Sequence, residues 1–441
     1  MPAMPEASEQ LRADLRAEGV ELVAGSLTDL AGVTRAKYVP LRRLDAFVTS
    51  GMGVSPSWSV FCVDSGIAFT PTIGVVGDQR LRIDPADLSL IGDGIAWAPA
   101  SLGDQDGAAA PLCARSLLRG TEADLARRGL TALVGAELEC TMLAPDGGHA
   151  TAEPWSPYGI RTSLDRGAFL ADLAVAAQRS GLSIEQLHTE YGHDQLEVSL
   201  APTTPVAAAD AVILARIVIG RTAARHGLKI SFSPVPFFGE AGNGAHLHLS
   251  LADEAGPLFS GGDGPHGMRT DGAAAIAGVL DTLPDLLAVY AGSVLSATRL
   301  KPGNWAGAAR CWGLENREAA VRFVAATAGN PHGANVELKI IDPSANPYLA
   351  TLGFLGSALR GIERGLPMPA EVTDNPAGVA EPLPADHAQV LNAFESSSTA
   401  ADLLTPEVVE GVLAVRRYEL TTYGTRPPAD TIAALRLAWS C

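Results

Sequence analysis

The sequence predicts an α+β protein in two parts, a β-rich N-terminal unit over residues 1–105 and a larger catalytic unit over 106–441. Two observations carry this reading. The residue pattern changes near position 105, from short apolar runs punctuated by Gly and Pro to short strands alternating with long amphipathic helices. The chain, at 441 residues, exceeds one typical domain, and its 47 % hydrophobic content is enough for a large buried core.

The first part reads as a short helix followed by strands. Val20–Gly25 and Ala36–Val39 are strand candidates around a turn at Asp29–Gly32, and Gly and Pro recur from Gly51 to Pro99. The small, polar stretch Gly103–Pro111 reads as a linker. Beyond it, helices are expected at Leu112–Arg128, Arg166–Ser180, Pro205–His226, Gly272–Tyr290, Asn346–Gly365 and Thr405–Thr422. Pro205 and Pro406 stand near helix starts, where proline is tolerated. Strands are expected at Thr131–Leu143, Leu196–Ala201, Lys229–Pro234, Gly244–Leu251, Ala319–Phe323 and Ala334–Ile341.

Composition excludes several classes. Charged residues make up 18 %, too few for a disordered chain, and the formal net charge of −17 with no Lys/Arg run argues against nucleic acid as a partner. The five cysteines are odd in number and lack CxxC spacing, which disfavours a disulfide framework and a zinc knuckle. The N-terminus lacks the basic and then apolar regions of a signal peptide. The long apolar stretch Val206–Gly220 is broken by Asp210 and Arg216, the mark of a core helix and not of a membrane partner. A cytoplasmic address is expected.

Four strand segments carry ionisable residues inside apolar runs. Glu137 and Glu139 interrupt ALVGAELECTML; His246, His248 and Ser250 interrupt GAHLHLSL; Glu337 and Lys339 interrupt NVELKII. Residues at i and i+2 of a strand point to one face, so each set projects together. Glu190 and Glu197 flank the turn Tyr191–Asp194. For any one pair a solvated face is an equally good explanation. Several clusters of Glu and His are harder to explain that way, because facing glutamates repel unless cations lie between them. Carboxylates with one or two imidazoles suit Mg²⁺ or Mn²⁺ better than zinc, and two such ions are natural partners for nucleotide phosphates.

Neither a GxxxxGK[ST] loop nor a GxGxxG turn between strand and helix is present. Arg299, Arg310, Arg317 and Arg322 offer planar forks for phosphate or carboxylate. Arginines so grouped are most often surface residues, but Arg322 sits in the apolar segment AAVRFVAA. The glycine-rich turn Gly239–Gly244 leads into the His246 strand and lets backbone approach a ligand.

At this point the residues resemble the glutamine synthetase family over nearly the whole chain. GAELE, HTEYGHDQLE, FFGEAGNGAHLHLSL, RLKPGNWAG…NREAAVR and VELK…ANPYLA match the family's segments in order. The resemblance implies an N-terminal β-grasp domain and a glutamine synthetase-type catalytic domain with a curved antiparallel sheet and flanking helices. It implies homo-oligomers of six-membered rings, hexameric or stacked as dodecamers, with the site at the subunit junction. It implies two or more Mg²⁺ or Mn²⁺ ions per site. Glu139, Glu190 and Glu197 would hold one; Glu137, His246 and Glu337 the other. His248, Ser250, Arg317 and Arg322 fall where the family contacts ATP. Gly242, His246, Arg299 and Lys339 fall around the acid substrate, glutamate. Arg299, Arg317, Arg322 and Glu337 are the expected catalytic groups.

The departures from the family pattern concern the amine. Ammonia-using members place a catalytic glutamate where this chain has Trp305. The N-terminal aspartate that helps deprotonate ammonium aligns near Ser55, with Asp64 as a possible substitute, and Tyr158 corresponds to a tyrosine of the amine pocket. The strand arginine that meets the reacting carboxylate is Lys339, and the loop asparagine is Ala241. The adenylylation loop is not recognisable around Pro382–Phe394. Keeping the metal ligands while losing the ammonium carboxylates predicts an ATP-dependent carboxylate–amine ligase. It would form a γ-glutamyl amide through an acyl phosphate, with a small organic amine in place of ammonia. The other readings are a true glutamine synthetase, a ligase for a different acid, and a non-catalytic scaffold. The last gives no reason to keep six mutually repelling ligands.

Overall fold

The computed structural model describes residues 4–331 and 333–440. Helix α1 (Met4–Ala17) leads into the hairpin of β1 (Leu22–Thr28) and β2 (Thr34–Pro40), paired in register from Leu22 with Pro40 to Thr28 with Thr34. The buried Asp29 shapes its turn. Oδ1 accepts from the amides of Ala31 at 3.0 Å and Val33 at 2.9 Å, and Oδ2 accepts from Arg35 Nε at 2.6 Å. Gly32 completes the turn at φ +83°, a conformation that favours glycine.

Helix α2 (Leu44–Thr49) and strands β3 (Met52–Val54), β4 (Gln79–Ile83), β5 (Ser89–Gly92) and β6 (Ile95–Gly103) complete this part. The six strands form one mixed sheet of order β2-β1-β6-β4-β3, with β5 also on β6, and β1 and β6 are parallel. Its inner face buries Val23, Leu27, Phe47, Leu81 and Ala98 in a small separate core. The stretch expected to be a linker is an ordered turn. Asp104 Oδ1 accepts from the amides of Asp106 and Ala108, each at 2.9 Å, and Ala110 N donates back to Leu102 O.

Helix α3 (Ala114–Arg127) opens the larger part. Then come β7 (Thr131–Leu143), α4 (Ile160–Asp165), α5 (Gly167–Arg179), β8 (Ile184–Thr189), β9 (Gln195–Thr203), α6 (Pro205–Arg225) and β10 (Lys229–Ser231). Strands β11 (Ala245–Asp253) and β12 (Gly256–Pro257) precede helices α7 (Thr270–Tyr290) and α8 (Ser296–Arg299). Strands β13 (Ala309–Leu314), β14 (Ala319–Val324) and β15 (Asn335–Leu338), helix α9 (Pro347–Arg364) and β16 (Glu381–Pro382) follow. Helices α10 (His387–Ser396), α11 (Ser398–Leu403), α12 (Pro406–Tyr423) and α13 (Pro428–Leu435) end the fold.

Among the described residues ten of these strands form one curved sheet of order β16-β13-β14-β15-β11-β7-β9-β8, with β10 on β7 and β12 on β11. Only β13 and β14 run parallel. Apolar residues of β7, such as Ala136 and Leu138, are buried on the side covered by α6 and α9, while Glu137 and Glu139 alternate to the other face. Helices α7 and α9 cross at Gly278 and Gly361, where a Cβ on Gly278 would meet Gly361 Cα at 2.6 Å. The α+β class with a mainly antiparallel sheet and flanking helices is therefore as expected. The most apolar helix is α7 and not the 206–220 stretch. It has the length and hydropathy of a membrane span, and it is packed inside the core.

The two parts are joined by more than the chain. Asn346 caps α9 with Oδ1 and donates Nδ2 to Thr28 O at 2.9 Å and Asp29 O at 3.2 Å. Trp439 Nε1 donates to Ala31 O at 2.8 Å.

A candidate active site on the polar face of the sheet

Strand register builds the site. Glu137 of β7 is directly opposite His246 of β11, Glu139 is opposite Glu197 of β9, and Glu337 of β15 lies between His248 and Arg322 of β14. Each of these residues stands on the polar face of its strand, so pleat and register together bring them side by side. His246 Nδ1 lies 3.4 Å from Glu137 Oε2 and 3.4 Å from Glu337 Oε1. His248 Nε2 is 3.4 Å from Glu137 Oε1, and its Nδ1 is 2.9 Å from Asn335 Oδ1. Glu337 is clasped from both sides, by Arg322 Nη1 at 3.1 Å and by Lys339 Nζ at 3.1 Å. Arg322 also pairs with Glu315.

A second group adjoins the first. Glu197 Oε1 is 3.1 Å from His188 Nε2, whose Nδ1 is 3.8 Å from Glu190 Oε1. Tyr158 donates its hydroxyl to Glu190 Oε2 at 2.7 Å. Glu139 Oε2 accepts from Gly244 N at 2.7 Å and from Gln195 Nε2 at 3.0 Å, and its Oε1 is 3.9 Å from His246 Nε2. Buried Arg299 reaches the site from α8, with Nη2 3.3 Å from His246 Nε2 and further bonds to the carbonyls of Ile340 and Lys339. Two glycines of the adjoining loop, Gly242 and Gly244, have no room for a side chain. A Cβ on Gly242 would lie 2.4 Å from Pro234 O, and one on Gly244 would lie 2.4 Å from His246 Nε2.

These positions shift proton affinities. Burial works to raise the Glu137 carboxyl, but the hydrogen bonds and charge of His246 and His248 outweigh it and hold the group well below the usual carboxylate range. Glu337 is likewise buried, yet Lys339, His246 and His248 bring it down to about 2. Burial opposes charge on His248, but Glu137 and Glu337 raise it to about 9. Glu139 moves the other way. Its burial, with Glu197 opposite, raises its carboxyl despite His246 and Arg299. A carboxylate pair short of positive charge, beside two carboxylates and an imidazole, is the donor set for hard divalent cations. Ligand atoms of Glu137, Glu197 and His246, of Glu137, His248 and Glu337, and of His188, Glu190 and Glu197 lie within 4.8 Å of one another in each group. The residues present thus fit divalent metal.

The fold therefore brings together Glu137, Glu139, Glu190, Glu197, His246, His248, Arg299, Arg322, Glu337 and Lys339, with Tyr158 at the rim. Ser250 lies farther along β11, its hydroxyl on Ala334 O at 3.2 Å, and Arg317 is exposed before β14. Trp305 is exposed on the loop after α8, at φ +53°, where Glu318 accepts its amide at 2.9 Å and that of Gly303 at 3.2 Å. Ser55 and Asp64 do not touch these groups within the chain. Ser55 caps a short helical turn at Ser57, and Asp64 accepts from the hydroxyls of Tyr423 at 2.9 Å and Tyr418 at 3.1 Å. His188, Gln195, Asn335, Glu315 and Glu318 were not singled out from sequence. His188 and Gln195 each precede a singled-out glutamate by two residues, and that spacing was the available signal.

Such a cluster, on a curved sheet with buried Arg299 and half-buried Arg322 beside it, defines a metal-dependent ligase centre of the glutamine synthetase kind. Residues 111–433 match the family described as glutamine synthetase, catalytic domain. The chain belongs to that family and is an ATP-dependent carbon–nitrogen ligase of the glutamate–amine type. It is 37 % identical over 433 residues to the gamma-glutamylpolyamine synthetase GlnA3 of Streptomyces coelicolor, covering 94 % of this chain and 93 % of that one. It is 31 % identical over 326 residues to the glutamine synthetase of Clostridium saccharobutylicum, covering 71 % and 73 %. A crystal structure described as a novel glutamine synthase homolog superposes with a TM-score of 0.87 at 31 % identity, covering 95 % of this chain and 99 % of that one. A GmaS/ADP complex superposes with a TM-score of 0.83 at 25 % identity, covering 95 % and 97 %.

Proposed function

We propose that this enzyme joins the side-chain carboxylate of glutamate to a small organic amine, in the cytoplasm, as a ring-shaped homo-oligomer. The observation that carries the choice of amine is Trp305. An indole stands where ammonia-using relatives place a carboxylate, and it can neither bind ammonium by charge nor accept its proton. It can pack against an alkyl chain or face an organic cation. The similarity to a protein named as a polyamine ligase supports the same choice. We take residues 1–105 as the β-grasp unit and 106–441 as the catalytic unit.

In this reading Glu139, Glu190 and Glu197 hold one Mg²⁺ or Mn²⁺ ion, and Glu137, His246 and Glu337 hold another. Bound metal supplies positive charge against the ATP phosphates. His248, Ser250, Arg317 and Arg322 contact the nucleotide. Arg299, Gly242 and Lys339 orient the acid. A glutamate side-chain oxygen attacks the γ-phosphorus, ADP leaves, and Arg322 offsets the charge spread over the transferring oxygens. The amine nitrogen then attacks the acyl carbon, the C–O bond to the phosphorus-bearing oxygen breaks, and the departing phosphate takes the proton that the nitrogen sheds. Tyr158, Trp305, Ser55 and Asp64 are assigned to the amine side, Ser55 and Asp64 from the neighbouring subunit of the ring.

A second reading is favoured by Lys339. Where the family has a forked arginine, this ammonium is already 3.1 Å from Glu337, which leaves room for an acid other than glutamate. The test is phosphate release with Mg²⁺ and ATP over a matrix of acids and amines. The highest kcat/KM should fall on glutamate with an organic amine. A maximum with ammonia would overturn the amine assignment, and a maximum with another acid would overturn glutamate.

A further inference from the structure

A second convergence of ligand atoms lies outside the catalytic face, where the hairpin following β7 meets the turn before β9. Asp194 is fully buried and sits at φ +59°. Its Oδ1 receives Arg166 Nη2 at 3.3 Å, and its Oδ2 receives the amides of Ala150 at 2.9 Å and Thr151 at 3.2 Å. Two imidazoles face the same Oδ2, His149 through Nδ1 at 3.4 Å and His193 through Nε2 at 3.7 Å. Both ring nitrogens are buried atoms without a hydrogen-bond partner. One ligand atom from each of His149, His193 and Asp194 lies within 4.8 Å of the other two.

The tautomer sharpens the point. His149 Nε2 is 3.2 Å from Glu240 Oε1, a contact that needs the ring proton on Nε2. His149 Nδ1 then directs a lone pair at the Asp194 carboxylate, which is repulsive unless something positive lies between them. A second proton on His149 would relieve that one contact, and a proton on His193 Nε2 would face Oδ2 across 3.7 Å, beyond hydrogen-bonding distance. A metal ion would serve all three atoms. Tetrahedral zinc with bonds near 2.0–2.1 Å sets its ligand atoms about 3.3 Å apart, close to the spacing here. The carboxylate on the far nitrogen of a ligating histidine is the usual supporting arrangement.

We propose that His149 Nδ1, His193 Nε2 and Asp194 Oδ2 bind one divalent transition-metal ion of the zinc class, distinct from the catalytic ions. Two nitrogens in three donors separate it from the carboxylate-rich catalytic set. The ion ties the hairpin to the turn that follows Glu190. Trp155, on the same hairpin segment, donates Nε1 to Glu190 O at 2.9 Å, so this clip braces the backbone of a catalytic ligand.

The test uses full-length protein stripped with chelator, with Mg²⁺ in excess to fill the carboxylate sites, and Co²⁺ as the probe. One equivalent of Co²⁺ with the visible bands of a four-coordinate, nitrogen-ligated ion is expected. His149→Gln and His193→Gln should lose it, while Glu337→Ala should keep it. Bands unchanged in folded His149→Gln and His193→Gln would overturn the proposal. Should those variants fail to fold, wild-type crystals soaked in Zn²⁺ decide. An anomalous peak at the zinc edge among the three side chains supports the site, and no peak there overturns it.

Discussion

Lys339 Nζ lies 3.1 Å from Glu337 Oε1, both side chains almost wholly buried and two residues apart on one edge of the site. This contact helps keep the Glu337 carboxylate ionised in a place where burial alone would neutralise it. Lys339→Met removes one of the two cations that clasp Glu337 and leaves Arg322 in place, and losing one partner of a buried polar group costs about 1–3 kcal/mol. Urea unfolding should show a loss of that order in the apoprotein and a smaller loss with saturating Mn²⁺, which replaces the missing positive charge. An equal loss in both conditions would separate Lys339 from the metal.

Glu337→Ala removes the group that His246, Arg322 and Lys339 all face. Turnover should fall on the order of 10²–10³-fold or more, the range for losing a preorganised electrostatic group. Phosphate release measured on protein with an unchanged circular dichroism spectrum checks this. Full activity would remove the metal assignment.

Trp305 and Glu318 form one device. The carboxylate of Glu318 accepts the Trp305 and Gly303 amides and so fixes a loop whose tryptophan has a left-handed backbone. Glu318→Ala should lower kcat/KM for the preferred amine by about 10-fold through lost positioning, with KM for ATP unchanged. Trp305→Glu should shift the ratio of ammonia to organic-amine kcat/KM toward ammonia. An unchanged ratio would mean that this position does not select the amine.

Gly244→Ala places a Cβ 2.4 Å from His246 Nε2 and 2.8 Å from Arg299 Nη2. Crowding His246, the proposed ligand, and the Arg299 beside it should cost about 10–100-fold in metal affinity, the range for disturbing a ligand's supporting contacts. Mn²⁺ titration by calorimetry reads the effect, and wild-type affinity would show that His246 is not a ligand.

Asp29 gives a pH signature away from the site. Burial raises its carboxyl from 3.8 to about 7, against the opposing charge of Arg35 and two amides. From about pH 4 to 7 the folded state keeps a proton that the unfolded chain has released, so this contribution to stability falls as pH rises and levels off above 7. In Asp29→Asn that slope is absent. The stability difference between wild type and variant should therefore change steadily between pH 4 and 7, and a constant difference would mean the carboxyl is ionised throughout.

Much of the site was legible because strands encode faces. β7 was bounded at Thr131 and Leu143 from its apolar run, and the i, i+2 rule grouped Glu137 with Glu139, His246 with His248 and Glu337 with Lys339. Strand β8 was not legible. Its residues IEQLHT are half-exposed with no apolar alternation, so His188 went with it. The turn at Asp104 has the composition of a linker, and composition does not reveal the side-chain bonds that order it. Asp64 shows the remaining limit: its partners, Tyr418 and Tyr423, stand 354 and 359 positions along the chain, beyond any local pattern.

The grip of Asn346 and Trp439 on the first hairpin has a practical side. A protease nick in the exposed turn at Asp106 should leave both fragments together in a native gel and release them only in denaturant. Cutting and expressing the N-terminal piece alone would strip the Thr28, Asp29 and Ala31 carbonyls of the donors that shield them. The β-rich piece is thus a poor candidate for independent crystallisation, and the intact chain is the unit to engineer.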